Sequence, residues 1–339
     1  AVGYLSLRTM IDGDDNTAIG ANAATSLRSG VNNTVVGSGA FDAAANDESD
    51  NVVIGYGAMG AAKQDGTASA TDREVKQNVA IGTDALKSGI IGGTSHLEAN
   101  VAIGYQAMDG TGTAGSVESV AIGLAALGGS WGGNCHRNIG IGAYVMDAAM
   151  SDAQSNIGMG TGALGALTTG DCNIALGAYL DGTYNGAMAA NTVGSYSIAI
   201  GSGALQTANE NDNDGSVAIG HGALRVQAGT GGSQHDSSQV AIGCFAGAAI
   251  TTGVNNTAIG HQAGYNTTTA QLNVLVGADA GKGITTGGGN VIIGHGGGTR
   301  NTDLSTGNNN TLIGRETGTS ATGASNNNVL GKDVVGSGE

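Results

Sequence analysis

One short pattern, asparagine, branched residue, small residue, isoleucine, glycine, recurs seventeen times in this chain of 339 residues. It reads NTAIGANAA from Asn16, with glycine at Gly20, and NVAIGTDAL from Asn78, with Gly82. It returns as NVAIGYQAM from Asn100, with Gly104, and as NTAIGHQAG from Asn256, with Gly260. The shortest spacing between motif glycines is 17 residues and occurs six times. A short fixed period over nearly a whole chain means a solenoid, in which each repeat contacts only its neighbours.

Positions are counted below from the motif glycine. Position −1 is Ile, Val, Leu or Met, position −3 is almost always Val, Ile or Thr, and the residue between is mostly small. Alternation with branched residues predicts a short strand whose two large side chains share one face and whose small one takes the other. With both faces apolar, one is expected against the coil and one against a neighbouring chain. The glycine is expected at positive φ, or where another backbone passes close. Ala at +3, in 12 of 17 copies, permits tight stacking, and the apolar residue at +4 closes the coil from the opposite side. Asn at −4, in 13 of 17 copies, is expected to turn the chain and bond along the stack. With paired strands about 4.8 Å apart, seventeen rungs predict a rod of roughly 80 Å.

Composition agrees. Glycine supplies 64 residues and proline none, without the three-residue period of collagen. Aromatics are 3%, too few for a conventional core but adequate for a narrow coil filled with Val, Ile and Ala. The net charge of −15 disfavours nucleic acid and anionic membranes as partners. Three scattered cysteines give neither a disulfide framework nor metal spacing. No stretch is apolar and long enough to insert in a membrane as a helix, and the first residues lack the features of a signal peptide. The expectation is a chain that is cytosolic, already processed, or part of a particle.

The unit N-x-A-I-G-x-x-A resembles the head repeats of trimeric autotransporter adhesins of the YadA-like type. Its 17-residue form with T-T-G and N-N turns resembles repeats in bacteriophage tail and head fibres. The copies TTGVNNTAIGHQAGYNTTT from Thr251 and TTGGGNVIIGHGGG from Thr285 carry the likeness, which covers residues 16–331. The resemblance implies an all-β, left-handed parallel β-roll of about 17 rungs, assembled as a homotrimer. It implies a structural fibre or spike of a phage that attaches to a host-surface glycan or protein, beside neighbouring virion subunits. The location implied is the virion surface, the cell surface or the extracellular space. A bacterial adhesin head and a subunit of a self-assembling filament are the alternatives. The coiled-coil stalk and barrel anchor of the autotransporters do not occur in this sequence. The expected organisation is a cap or attachment segment at 1–15, the repeat domain at 16–335, and a terminal piece at 336–339.

Chemistry is sparse. Gly160–Gly165 satisfies G-x-G-x-x-G, but another repeat strand follows where a dinucleotide site needs a helix. His221, Cys244, His261 and His295 each follow a motif glycine, yet a metal needs three or four converging ligands. Acidic turns at Asp12–Asp15, 46–50 and 209–214 allow at most weak calcium binding, and no other cofactor is expected. No catalytic constellation emerges, so no enzymatic activity is expected. A regular Thr-x-Thr ladder is missing, which argues against ice binding. Longer repeats must shed residues as loops, where repeat proteins tend to add binding. The candidate receptor contacts are therefore Lys63, Arg73 and Lys76 in the longest insertion, Tyr184 and Tyr196 in a later one, and Trp131 in the turn GGSWGGNCHR.

Overall fold

The computed structural model describes the chain except for residues 46–47, 65–74, 88–89, 92–95, 113, 181–184, 208–213, 228–237, 299–303, 320, 322 and 337–339. The described residues form strands and turns, with no helix. The chain divides into two compact units, Ala1–Thr169 and Gly170–Glu339. Each is a parallel β-solenoid.

In the first unit the three-residue strands are Thr17–Ile19, Thr34–Val36, Val52–Ile54, Val79–Ile81, Val101–Ile103, Val120–Ile122, Ile139–Ile141 and Ile157–Met159. Each pairs parallel with the next, like position against like position, as in Ala80↔Ala102 and Ile81↔Ile103. The second unit repeats the scheme from Ile174–Leu176 to Asn328–Leu330. Register cannot slip, because a one-residue shift would turn every small residue outward and every branched one into the coil.

The middle residue of each strand points into the coil and is buried, as are Ala at +3 and the apolar residue at +4. The flanking branched residues point out and stay half-exposed or exposed. The motif glycines stack on one another. At Gly104, with φ +140°, a Cβ would stand 2.3 Å from the carbonyl oxygen of Gly123 on the next turn. That approach explains why glycine recurs there.

The asparagines at −4 are buried and form a ladder. Oδ1 of Asn33 accepts from both the backbone N–H (3.1 Å) and the Nδ2 amide (3.0 Å) of Asn51. Nδ2 of Asn51 also donates to Val75 O at 3.1 Å. The same pattern runs through Asn256, Asn273, Asn290 and Asn310. A buried carboxamide would be costly unpaired; here each rung satisfies the one before. Where Ser119 replaces Asn, its N–H still reaches Asn100 Oδ1 and its Oγ accepts from Asn138 N.

The expected cap or attachment segment includes residues 2–15. They form a further turn of the coil, with Val2 bridged to Ile19 and Val2 N donating to Ala18 O at 2.8 Å. Gly3 takes the motif-glycine role at φ +140°. At the other end Val335–Gly336 pairs with Gly318–Thr319, which carries the coil one residue past 335.

Candidate functional site

The feature that recurs on every rung is the outward strand face. A branched or long apolar side chain at −1 stands next to its counterpart on the following turn, with Ile19, Ile54 and Met159 exposed in the first unit and Ile200, Ile293 and Ile313 in the second. Ile19 is 45% and Leu330 78% exposed. The strand register places these side chains in an unbroken row within each unit. Scattered apolar residues on a surface are ordinary, whereas these stand in a row in register.

Among the described residues, the candidate receptor contacts stand on separate elements. Lys63 lies in a two-residue strand, Lys63–Gln64, that pairs with Ile90–Ile91. Lys76 lies in Val75–Lys76, which pairs with Leu97–Glu98, and its Nζ stands 3.4 Å from Glu98 Oε1. These parts of the longest insertion rejoin the stack instead of leaving it as a loop. The ladder carbonyl of Val75, which accepts from Asn51, holds them there. Trp131 is also corrected: it is only 7% exposed, and its backbone N–H donates to Gly110 O at 3.0 Å. The glycines around it allow close stacking, since a Cβ on Gly129 or Gly133 would collide with Ala148 or Asp152 of the next turn. Tyr196 does face outward, at 60% exposure, with φ +58° in a corner. Arg73 and Tyr184 lie outside the described residues.

The repeat residues fare differently. Asn16, Asn78, Asn100 and Asn256 all stand in the ladder, and Gly20, Gly82, Gly104 and Gly260 all stack at φ between +134° and +140°. Gly160–Gly165 is a corner that follows the strand Ile157–Met159. Among the described residues no three His, Cys, Asp or Glu side chains come together as metal ligands. The described acidic turn residues serve the turns: Asn32 Nδ2 donates to Asp50 Oδ1 at 3.0 Å and Ser195 N to Asp214 Oδ1 at 2.5 Å.

Electrostatics distinguish the corners. In the first unit position +5 carries Asp42, Asp109 and Asp147, and burial raises the pKa of each above the ordinary carboxyl value. The neighbouring Asp84 adds to the rise at Asp109, and Lys87 opposes it. His136 is lowered, first by burial and then by Arg137, and it accepts at Nδ1 from Val117 N at 3.1 Å, as a neutral imidazole must.

No family model, curated protein or solved structure matches this chain.

Proposed function

We propose that this protein is a structural fibre or spike, built from copies of the chain packed side by side through the outward strand faces. One observation carries the reading: every turn presents branched apolar residues outward in register, and a row of that kind is stabilised by burial against a like surface. The resemblance to fibre and adhesin-head repeats supports three copies, and it supports attachment of a phage to its host surface as the role. A coil stacked on backbone contacts, with a satisfied amide ladder inside, suits a mechanical scaffold. The reading includes no catalytic activity.

Mass in solution and electron microscopy of the purified chain test this together. The expected result is a particle of three times the 32.8 kDa chain mass, seen as discrete spikes. A monomer would overturn the packing of outward faces. Open-ended filaments would replace the spike with end-to-end assembly.

A further inference from the structure

Both units carry an open groove at the same corner of the coil, between positions +1, +2 and +5 of adjoining turns. In the first unit the groove has a volume near 360 Å³ and in the second near 440 Å³. Each falls within the roughly 300–1,000 Å³ of small-ligand sites. The two are built from the same set of groups.

In the first unit the exposed ring of Tyr56 stands at +1, and Gly57 follows it at +2. Gly57 has φ +61°, and a Cβ there would lie 2.6 Å from Asp84 Oδ1, so a side chain would fill the groove. On the next turn Asp84 at +2 and Lys87 at +5 form an ion pair of 3.0 Å, and Asp42 supplies a second carboxylate. In the second unit His295 is the ring at +1 and Gly296 follows it. Asp279 at +2 and Lys282 at +5 of the preceding turn pair at 3.1 Å, and Glu316 is the second carboxylate. The order along the stack is reversed, but ring, glycine, Asp–Lys pair and second carboxylate are all present twice. An asparagine, Asn22 or Asn266, borders each groove.

These groups fit one class of ligand. An exposed ring offers its face to the apolar face of a sugar. Carboxylates accept pairs of hydroxyl donors, and a lysine held by its aspartate donates to a ring or hydroxyl oxygen. In the first groove two carboxylates face one lysine; in the second Lys282 pairs with Asp279 and Arg315 with Glu316 at 2.7 Å, so the charges there balance. Each cation is thus matched by a carboxylate and none is left over to hold a sialylated or sulfated sugar, whereas hydroxyl-rich neutral ones need no net charge.

We infer that these paired grooves are two binding sites per chain for neutral hexose oligosaccharides. The inference rests on the adhesive part of the proposed function and moves the contact from the insertions to the corners of the coil. Desolvation of Asp42, which raises its pKa, accords with a carboxylate set to accept hydroxyl donors rather than to face open water.

The test uses the full chain on a printed panel of neutral hexose oligosaccharides beside sialylated and sulfated ones. The best neutral oligosaccharide is then titrated calorimetrically. Binding to neutral sugars at two sites per chain is expected. Tyr56→Ala and His295→Ala should each leave one site, and the double variant should lose at least ten-fold in apparent affinity. Both side chains are exposed, so the fold is retained, and Arg137→Ala, an exposed residue lining neither groove, should bind as the parent does. No neutral binding at millimolar sugar, or a double variant that binds as the parent, would overturn the inference. The particle mass of the same samples separates the two readings. An intact assembly that ignores sugars sinks this inference alone, and sugar binding by a single chain sinks the assembly alone.

Discussion

The first unit and the last turns of the second fill the same coil from opposite sides. In the first unit the strand contributes a small residue, Ala80, Ala102, Ala121 or Gly140, and the corner at +4 contributes a large one, Leu86, Met108, Leu127 or Met146. In the last turns the strand contributes Leu275, Ile292 and Leu312, and position +4 is Gly281, Gly298 and Gly318. The fit is close either way. A Cβ on Gly140 would meet Leu127 Cδ1 at 2.3 Å, and one on Gly281 would meet Leu275 Cδ2 at 2.6 Å. The filling is shared between adjoining turns: Gly140 faces Leu127 of the turn before it, and Leu275 also stands 2.8 Å from where a Cβ on Gly264, one turn earlier, would lie. The identity of either position is free to change if the other compensates.

What the two regions share is the glycine stack, and breaking it gives the largest expected effect. Gly104→Ala and Gly260→Ala each force a Cβ to 2.3 or 2.4 Å from the carbonyl of the next motif glycine, at φ +140° or +135°. Backbone on both sides cannot yield, so each substitution should cost about 4 kcal/mol or more, or prevent folding. Denaturant unfolding checks this. A loss below about 1 kcal/mol in either unit would mean that the stack can part.

The size exchange is sharpened by a compensated pair. Gly281→Leu should cost about 1–3 kcal/mol by overpacking against Leu275. The left-handed corner is not the obstacle, because Leu127 and Leu164 occupy the same corner position at φ +51° and +53°. Leu275→Ala alone leaves a cavity and should cost about 2–5 kcal/mol. Together they recreate the first unit's arrangement, so the double variant should recover much of either loss, with a coupling of roughly 0.5–3 kcal/mol. Hydrogen exchange resolved along the chain reads the second unit directly. Additive losses would show that the two filling schemes are not interchangeable.

These contrasts also show what a sequence of this kind discloses. The period, the strands and the split of large and small residues between two faces were legible because a stacked backbone tolerates little else at Gly20, Gly104 or Gly260; that the small residue, not Val or Ile, turns into the coil was not. The Asn ladder was legible for the same reason, since Asn51 must satisfy its neighbours on both sides. The turn at residues 2–15 was hidden because Val2–Gly3 is its one recognisable motif element. The size exchange was hidden too, because +4 glycines look like loosened copies until Leu275 is seen filling the space. Trp131 in a run of glycines suggested exposure, but Gly129 and Gly133 serve close packing against the next turn. The paired grooves each draw on four turns at once, and positions +1, +2 and +5 look merely variable along a single repeat.

The corner at +5 gives the smallest and most selective contrast. The first unit places Asp42, Asp109 and Asp147 there, each with a pKa raised chiefly by burial. The second unit places Gln206, Arg225, Ala248, Tyr265 and Lys282 at the same position. A folded-state pKa above the ordinary 3.8 means that the native state holds the proton more tightly than the unfolded chain. That contribution is complete below pH 3.8 and is lost as the pH rises through the folded-state value. The first unit should therefore gain from acidification on this account, which the second lacks at +5. Replacing all three aspartates by asparagine should remove the gain and slightly stabilise the first unit at pH 7. Trp131, the chain's one tryptophan, is buried in that unit and reports its unfolding by fluorescence. Urea midpoints between pH 3 and 7 should depend less steeply on pH in the triple variant on the acid side. An unchanged pH profile, or a triple variant less stable than the parent at pH 7, would mean that burial does not disfavour the charged carboxylates. The two rows of corners would then differ in sequence without differing in energy.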